Sequence, residues 1–164
     1  MSMPFLVKDT ALLEAMAFVW LEADRLDHAE FEDWLAMWTP DAHYIVPVEP
    51  GTGEFETHLN YAYDDHAMRC KRIERMQSGV SVSASPVART IRSLSRFRLL
   101  ADEGQWVDLR CMQRLTEFRR ARERTYVADM EYRLERGAEG FKIGRKVVRL
   151  INADHALGGI SYIL

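Results

Sequence analysis

Three long antiparallel strands are predicted between Trp106 and Leu150, and this stretch constrains the fold more than any other part of the chain. At its centre, from Ala128 to Glu135, apolar residues occupy every even position and charged residues every odd position. This period of two is typical of a strand with one buried face. Turn-forming residues at 137–140 and a charged run at 119–123 would connect the strand to its two neighbours. The predicted sheet therefore has an apolar face that the rest of the chain must cover.

The outer two strands of this block change the phase of their apolar pattern, which is typical of a bulge or a strong bend. In the first strand the predicted change falls between Leu115 and Phe118, and in the third it falls near the middle of residues 141–150. An arginine-rich segment at 88–100 is predicted to be a further strand. Its two faces are expected to carry Ile91, Phe97 and Leu99 on one side and Arg92, Arg96 and Arg98 on the other.

Two helices are predicted near the start of the chain. Apolar residues recur at helical spacing from Thr10 to about Asp27. A second, shorter helix is expected to follow, with Trp38 as the last residue of its apolar edge. It would end at residues 39–41, because Pro40 disfavours helical geometry in the residue before it.

The remaining segments complete an α+β order of elements. Residues 43–47 are predicted to form a short strand at a sheet edge, where Pro47 would be tolerated. Asp64 and Asp65 are expected to cap the start of a third helix. A serine-rich connector is expected to follow this helix at 78–86. The apolar tail from Ile151 is expected to dock on the fold. This order predicts a conical, strongly curved antiparallel sheet backed by the N-terminal helices.

The composition is that of a globular domain, and it excludes several classes of function. The 164 residues, 48% hydrophobic and 29% charged, are enough for a single domain covering residues 1–164 with a buried core. A net charge of −3 gives no electrostatic reason to expect nucleic acid or a membrane as a partner. Two cysteines, Cys70 and Cys111, are too few for a disulfide framework. With no export signal and no long apolar run, a cytoplasmic location is expected.

The histidines do not form a metal-binding motif. None of the five lies in an H-x-x-x-H or H-E-x-x-H spacing, and no cysteine pair supports a zinc site or an iron–sulfur cluster. His58, Asp65 and His66 are the only residues close together in the sequence whose side chains suit a two-histidine, one-carboxylate iron site. A loop and a helix cap are the simpler interpretation of these three residues. No catalytic, cofactor-binding or metal-binding residue is therefore assigned.

A general acid–base pair inside the cone is an alternative that the sequence leaves open. A carboxylate with a raised pKa beside a tyrosine can move a proton next to a carbonyl group. Each available side chain also has an ordinary role as a turn, cap or strand residue. The candidates are Asp41, Tyr44, Tyr63, Asp65 and His66.

A series of short motifs runs along nearly the whole chain. It consists of residues 18–41, the strand at 44–47, the helix start at 63–65 with the helix end at 72–75, the segments 86–90 and 93–96, and residues 141–150 with the apolar tail. In order and spacing, these motifs resemble the small (β) subunit of Rieske-type aromatic-ring-hydroxylating dioxygenases.

This resemblance implies a helix-backed conical sheet of the NTF2-like, or cystatin-like, kind, similar to nuclear transport factor 2 and ketosteroid isomerase. It further implies a non-catalytic structural subunit of a multicomponent oxidoreductase. In that family a large (α) subunit carries a Rieske [2Fe–2S] cluster and a mononuclear iron, and the subunits assemble as α3β3 with contacts between small subunits. The holoenzyme cis-dihydroxylates an aromatic ring with O2 and electrons from NAD(P)H.

Two other functions remain open for such a fold. One is a stand-alone isomerase or dehydratase that uses a cavity aspartate and tyrosine. The other is a small-molecule binding module with an inert pocket. For the subunit hypothesis, the exposed faces of the sheet and the tail from Ile151 are the expected contact surfaces.

Overall fold

The computed structural model describes residues 9–78, 87–155 and 157–164. A short 3-10 helix spans Phe55–Thr57. The other elements, in chain order, are α1 (Thr10–Asp27), α2 (Phe31–Leu35), β1 (Trp38–Pro47), β2 (Asn60–Asp64), α3 (His66–Ser78), β3 (Arg89–Asp102), β4 (Trp106–Arg119), β5 (Arg122–Gly137) and β6 (Gly140–Leu150). Ser78 is the last residue of α3, and the rest of the predicted serine-rich connector, residues 79–86, lies outside the described residues.

The strands form one six-stranded sheet in the order β2-β1-β6-β5-β4-β3. Strands β3 to β6 are an antiparallel meander, which confirms the three-strand block predicted from residues 106–150. The antiparallel pattern is interrupted at one place, because β1 pairs with β6 in parallel. The edge position predicted for residues 43–47 was therefore wrong: β1 lies between β2 and β6. Pro47 is accommodated at the end of β1, where the register with β2 shifts.

The two predicted turns of the meander are both present. Arg120 and Ala121, with φ of 52° and 58°, connect β4 to β5 in the left-handed geometry of a two-residue hairpin turn. At the next hairpin Gly137 pairs with Gly140, whose φ is 110°. Tight turns of this kind keep the register of neighbouring strands fixed.

The predicted changes of phase had different outcomes in β6 and β4. In β6 the change is confirmed, because Gly144 is an extra residue at a bulge and the buried positions switch from odd to even there. In β4 the predicted change between Leu115 and Phe118 was wrong. Its register with β5 is unbroken, and the polar Gln113 and Glu117 are buried on the same face as their apolar neighbours.

Strand β3 contains a bulge that the sequence pattern did not reveal. The register with β4 shifts there, and Arg96 has a φ of 57°. Before the bulge, Arg92 is buried while Ile91 is 69% exposed, so the expected grouping of faces was wrong in this half. After the bulge, Phe97 and Leu99 pack against the core as predicted.

Aspartate caps fix the starts of α1 and α3. The Asp9 side chain accepts a hydrogen bond from the Leu12 N–H at the start of α1. Asp65 caps α3 by accepting from the Met68 N–H at 2.9 Å.

Trp38, predicted as the last residue of the second helix, instead begins β1, since α2 ends three residues earlier. None of the described helices is long and apolar enough to cross a membrane.

The core lies between one face of the sheet and the layer formed by α1, α2, α3 and the tail. We call this the inner face, and the opposite one the outer face. Tyr162, Ile163 and Leu164 are buried against the inner face, so the tail docks as predicted. The outer face is covered at its β1–β6 end, where Phe55 packs on Ile45 and Val147.

Candidate functional site

The centre of the core holds a carboxylate and an ammonium group. Glu22 is on the buried side of α1 and is 1% exposed, and Lys146 is on the inner side of β6 and is 0% exposed. Lys146 faces inward because the bulge at Gly144 moves the even positions of β6 to that side. Trp34 of α2 and Tyr132 of β5 complete the group. We call these four residues the polar centre.

All hydrogen bonds of the polar centre converge on Glu22. Its Oε1 atom accepts from Lys146 Nζ at 2.7 Å and from Trp34 Nε1 at 2.8 Å. Its Oε2 atom accepts from the Tyr132 hydroxyl at 2.9 Å. Both carboxylate oxygens are therefore engaged by donors from three different elements.

Burial shifts the ionisation of the groups around Glu22. It lowers the pKa of Lys146, and the negative charge of Glu22 opposes that shift. Burial also raises the pKa of Tyr132 well above its ordinary value, and the nearby Glu22 carboxylate adds to the effect. The neighbouring Cys111 thiol has its pKa raised to about 12 by burial. The centre thus holds one ion pair, between Glu22 and Lys146, beside a tyrosine hydroxyl that keeps its proton.

Sequence reasoning missed the polar centre. Glu22 lies three residues after Val19 and four before Leu26, and both of these residues are buried on the same side of α1. This spacing was the available signal. Lys146 gave no comparable signal, because its direction depends on the bulge.

A second buried polar cluster lies beneath the tail. Glu117, on the inner side of β4, accepts hydrogen bonds from Arg124 at 3.0 and 3.2 Å and from the Tyr162 hydroxyl. Arg92 contacts both Asp27 of α1 and the carbonyl oxygen of Ile163. These bonds attach the tail to β3, β4 and α1.

The tail borders a cavity of about 220 Å³ at one end of the core. Tyr44, Arg72 and Tyr162 line it together with apolar residues. The Tyr44 hydroxyl accepts from the Leu164 N–H at 2.9 Å, and burial raises the pKa of Tyr44 to about 12. The Arg72 guanidinium is held by both oxygens of Asp64, at 2.6 and 3.0 Å. The polar groups of this cavity are therefore bound to the protein itself.

The predicted acid–base candidates do not come together. Asp41 is exposed, and Asp65 is an exposed helix cap. Tyr44 points to the inner face, whereas Tyr63 packs on the outer-face cluster and donates to Glu56. His66 is exposed, and its Nε2 atom lies 3.6 Å from Cys70 Sγ.

The predicted iron-ligand candidates are also engaged elsewhere. His58 Nδ1 lies 2.7 Å from the carbonyl oxygen of Glu54, and Asp65 caps α3. Over residues 9–78, 87–155 and 157–164, no three histidine, cysteine or acidic side chains are grouped as metal ligands. A Rieske cluster needs two cysteines and two histidines together, and here Cys111 is in the core while Cys70 is on α3. The described residues therefore do not fit such a cluster.

An open cavity of about 590 Å³ lies beside β1 and β6 on the covered part of the outer face. The rings of His43 and Tyr63 lie 4.9 Å apart there, and the guanidinium of Arg145 lies over the ring of Phe55 at 6.0 Å. Aromatic and arginine side chains of this kind are common at protein interfaces.

Similarity to solved structures defines the class of the fold. The chain superposes with a TM-score of 0.60 and 16% identity on an NTF2-like protein with a cystatin-like fold from Novosphingobium aromaticivorans, covering 85% of this chain and 80% of the other. The TM-score is 0.77, at 21% identity, for the β subunit of the benzoate 1,2-dioxygenase of Burkholderia mallei, with 94% and 97% of the two chains covered. The fold is thus the α+β fold of the NTF2-like, cystatin-like kind, as expected.

Sequence similarity then gives the family. Residues 21–154 match the family model described as ring hydroxylating beta subunit. The small oxygenase component of the p-cumate 2,3-dioxygenase system of Pseudomonas putida is 29% identical over 146 residues, which cover 87% of this chain and 81% of that protein. The chain belongs to the β subunits of ring-hydroxylating dioxygenases, which confirms the resemblance found in the sequence.

Proposed function

We propose that this chain is a structural β subunit whose own residues contribute assembly and stability, while a large (α) subunit performs the chemistry. The large subunit would carry the Rieske [2Fe–2S] cluster and the mononuclear iron, in a cytoplasmic α3β3 assembly that hydroxylates an aromatic ring. Within this proposal residues 1–164 act as one domain, and none of them is catalytic. The relatives named for p-cumate and benzoate support an aromatic substrate for the holoenzyme.

The closed polar centre is the observation that carries the proposal. A catalytic carboxylate needs a free oxygen or proton directed at a substrate. Both oxygens of Glu22 instead accept hydrogen bonds from the protein, and so do both oxygens of Glu117. These two carboxylates are used to hold helices, strands and tail together.

The alternative of a stand-alone isomerase has weaker support. Its candidate Asp41 is exposed, and its candidate tyrosines lie on opposite faces of the sheet. An acid–base pair must lie within hydrogen-bond reach of the same substrate atoms. This arrangement does not meet that requirement.

An affinity-tagged copy, expressed in the organism from which the chain comes, tests the proposal. It should co-purify with a larger protein that contains iron and acid-labile sulfide, and light scattering should give a mass of three copies of each subunit. Purified alone, the chain should not turn over aromatic substrates. Isolation of the tagged chain without an iron protein would contradict the proposal, as would isomerase activity lost in Asp41→Asn.

A further inference from the structure

The cavity of about 220 Å³ that the tail borders has an apolar floor. We call it the tail cavity. The residues of its floor are buried, because they lie on the inner sides of β1, β2 and β6 and at the end of the tail. They are Tyr44, Val46, Ala62, Leu150, Tyr162 and Leu164. The floor of the tail cavity is therefore part of the hydrophobic core.

One side of the tail cavity is formed by residues 157–160, which lie in neither a helix nor a strand. Leu157 and Ile160 pack partly against the core, and the two glycines between them are exposed. Tyr61 of β2 also lines the cavity and is 49% exposed. Its hydroxyl donates to the carbonyl oxygen of Ala153 at 2.7 Å, which holds the ring beside the tail. The cavity is thus accessible to small molecules from solvent next to the tail.

The tyrosine hydroxyl groups along the tail cavity already have partners in the protein. Those of Tyr44 and Tyr61 bond to main-chain groups, and that of Tyr162 donates to Glu117. A ligand rich in polar groups would give up its hydrogen bonds to water without equivalent bonds in the cavity, and burial of a polar group on such terms is unfavourable. An apolar ligand carries no such cost. The lining therefore favours an apolar molecule.

The positive charge of Arg72, which also lines the tail cavity, is balanced by Asp64. Both oxygens of Asp64 accept hydrogen bonds from this guanidinium, and the Asp64 side chain is 3% exposed. An anionic ligand would place a second negative charge near a buried carboxylate whose counter-charge is already engaged. The guanidinium also lies 6.0 Å from the ring centre of Tyr44. A cation attracts the face of a neighbouring aromatic ring and does not attract a saturated ring in this way.

The volume of the tail cavity fits a single ring. A cavity of about 150 Å³ lined by apolar side chains is large enough to bind benzene, and the tail cavity is about half as large again. We propose that the tail cavity is a binding site for a neutral single-ring aromatic molecule, such as benzene or toluene. The bound ring lies between the floor and residues 157–160 and stabilises the docked tail. The site belongs to this chain alone, so it does not rest on the proposed function.

Titration of the purified full chain with fluorobenzene, followed by fluorine NMR, tests the proposal. Binding should be saturable, with a dissociation constant of about 1 mM or lower, and toluene should displace the probe. At equal concentration cyclohexane should displace it about 5-fold less well, and benzoate about 10-fold less well. Absence of saturable binding overturns the proposal. Displacement by benzoate or cyclohexane as effective as that by toluene overturns the assigned ligand class.

Variants that fill the tail cavity locate the binding site. Ala62→Leu places a larger side chain in the floor and should weaken fluorobenzene binding by about 10-fold or more. Ile160→Trp fills the cavity from the tail, should have the same effect, and provides the test if Ala62→Leu does not fold. Ala67→Leu, at an exposed position on α3, is the control and should leave binding unchanged. Unchanged binding in either folded filling variant overturns the assignment to this cavity.

Hydrogen exchange reports whether the ligand lies beneath the tail. Amide protons of residues 157–164 should exchange more slowly with toluene, by up to about 6-fold at a concentration of about five times its dissociation constant. Those of the turn at 137–140 should be unaffected. Exchange in the tail that is unchanged or faster overturns the placement of the ligand. Because the chain is used without a large subunit, this result is separate from that of the co-purification experiment.

Discussion

The carboxylate of Glu22 and the ammonium group of Lys146 lie 2.7 Å apart in the core, and their side chains are 1% and 0% exposed. The two residues are 124 positions apart in the sequence and join α1 to β6. Removing two charges from water costs several kcal/mol each, and the pair offsets this cost only while both partners and the other donors are present. The polar centre therefore favours one arrangement of helix and sheet.

Lys146→Met is expected to destabilise the fold by about 3–5 kcal/mol, because Glu22 would remain buried without its counter-charge. Urea unfolding measures the change. Lys142→Met, at an exposed lysine on the same strand, is the control and should cost less than about 1.5 kcal/mol. The double variant Glu22→Leu/Lys146→Met should lose less than the sum of the two single losses. Additive losses would show that the pair is not coupled.

Gly144→Ala is expected to cost about 1–3 kcal/mol through overpacking. A Cβ atom at this position would lie 2.5 Å from Cζ3 and 2.9 Å from Cη2 of Trp106. Gly53→Ala is the matched control, since nothing lies within 4 Å of a Cβ there. The free energies of unfolding of the two variants are compared in urea. Adding Trp106→Leu to Gly144→Ala should restore part of the lost stability. Equal stability of both alanine variants would contradict this prediction.

Tyr162→Phe is expected to loosen the tail, because the buried Glu117 loses a hydrogen-bond donor. The loss of stability should be about 1–3 kcal/mol. Hydrogen exchange of residues 160–164 should accelerate in the folded protein. Tyr63→Phe is the control. It removes a hydroxyl group that donates to the exposed Glu56, and it should leave hydrogen exchange in the tail unchanged. Unaltered protection in Tyr162→Phe would mean that this bond does not hold the tail.

Stability is expected to fall as pH rises from about 9 to about 12. The pKa of Cys111 is raised by burial from 9.0 to about 12, so over this range the unfolded chain has lost the thiol proton while the folded chain keeps it. The unfolded state then binds fewer protons, and the free energy of unfolding declines by up to about 1.4 kcal/mol per pH unit for this group. Urea unfolding at several alkaline pH values measures the slope, which Cys111→Ala should reduce.

The same burial predicts the reactivity of the two thiols. Cys111 is 1% exposed, whereas Cys70 is partly exposed on α3. A thiol reagent at neutral pH should therefore modify one cysteine per folded chain and two per unfolded chain. Rapid modification of both in the folded protein would show that the core opens locally.

Local patterns in the sequence were sufficient to define the elements of the meander and the first helix. The strict alternation around Met130 and Tyr132 marks a half-buried strand, and the residues of the two hairpin turns fix its neighbours in the meander. The helical spacing before Asp27 similarly defined α1. These features depend on residues close together in the chain, which is why periodicity and turn chemistry were sufficient. The match of motifs along the chain also indicated the family.

How these elements meet depends on contacts between distant parts of the chain. The parallel pairing of β1 with β6 places Trp38 in a strand rather than a helix, and the bulge at Arg96 reverses which side chains of β3 face the core. Glu22 is buried because its partners arrive from α2, β5 and β6. A buried charge is stable only with such partners, and local sequence patterns do not specify contacts between residues more than a hundred positions apart.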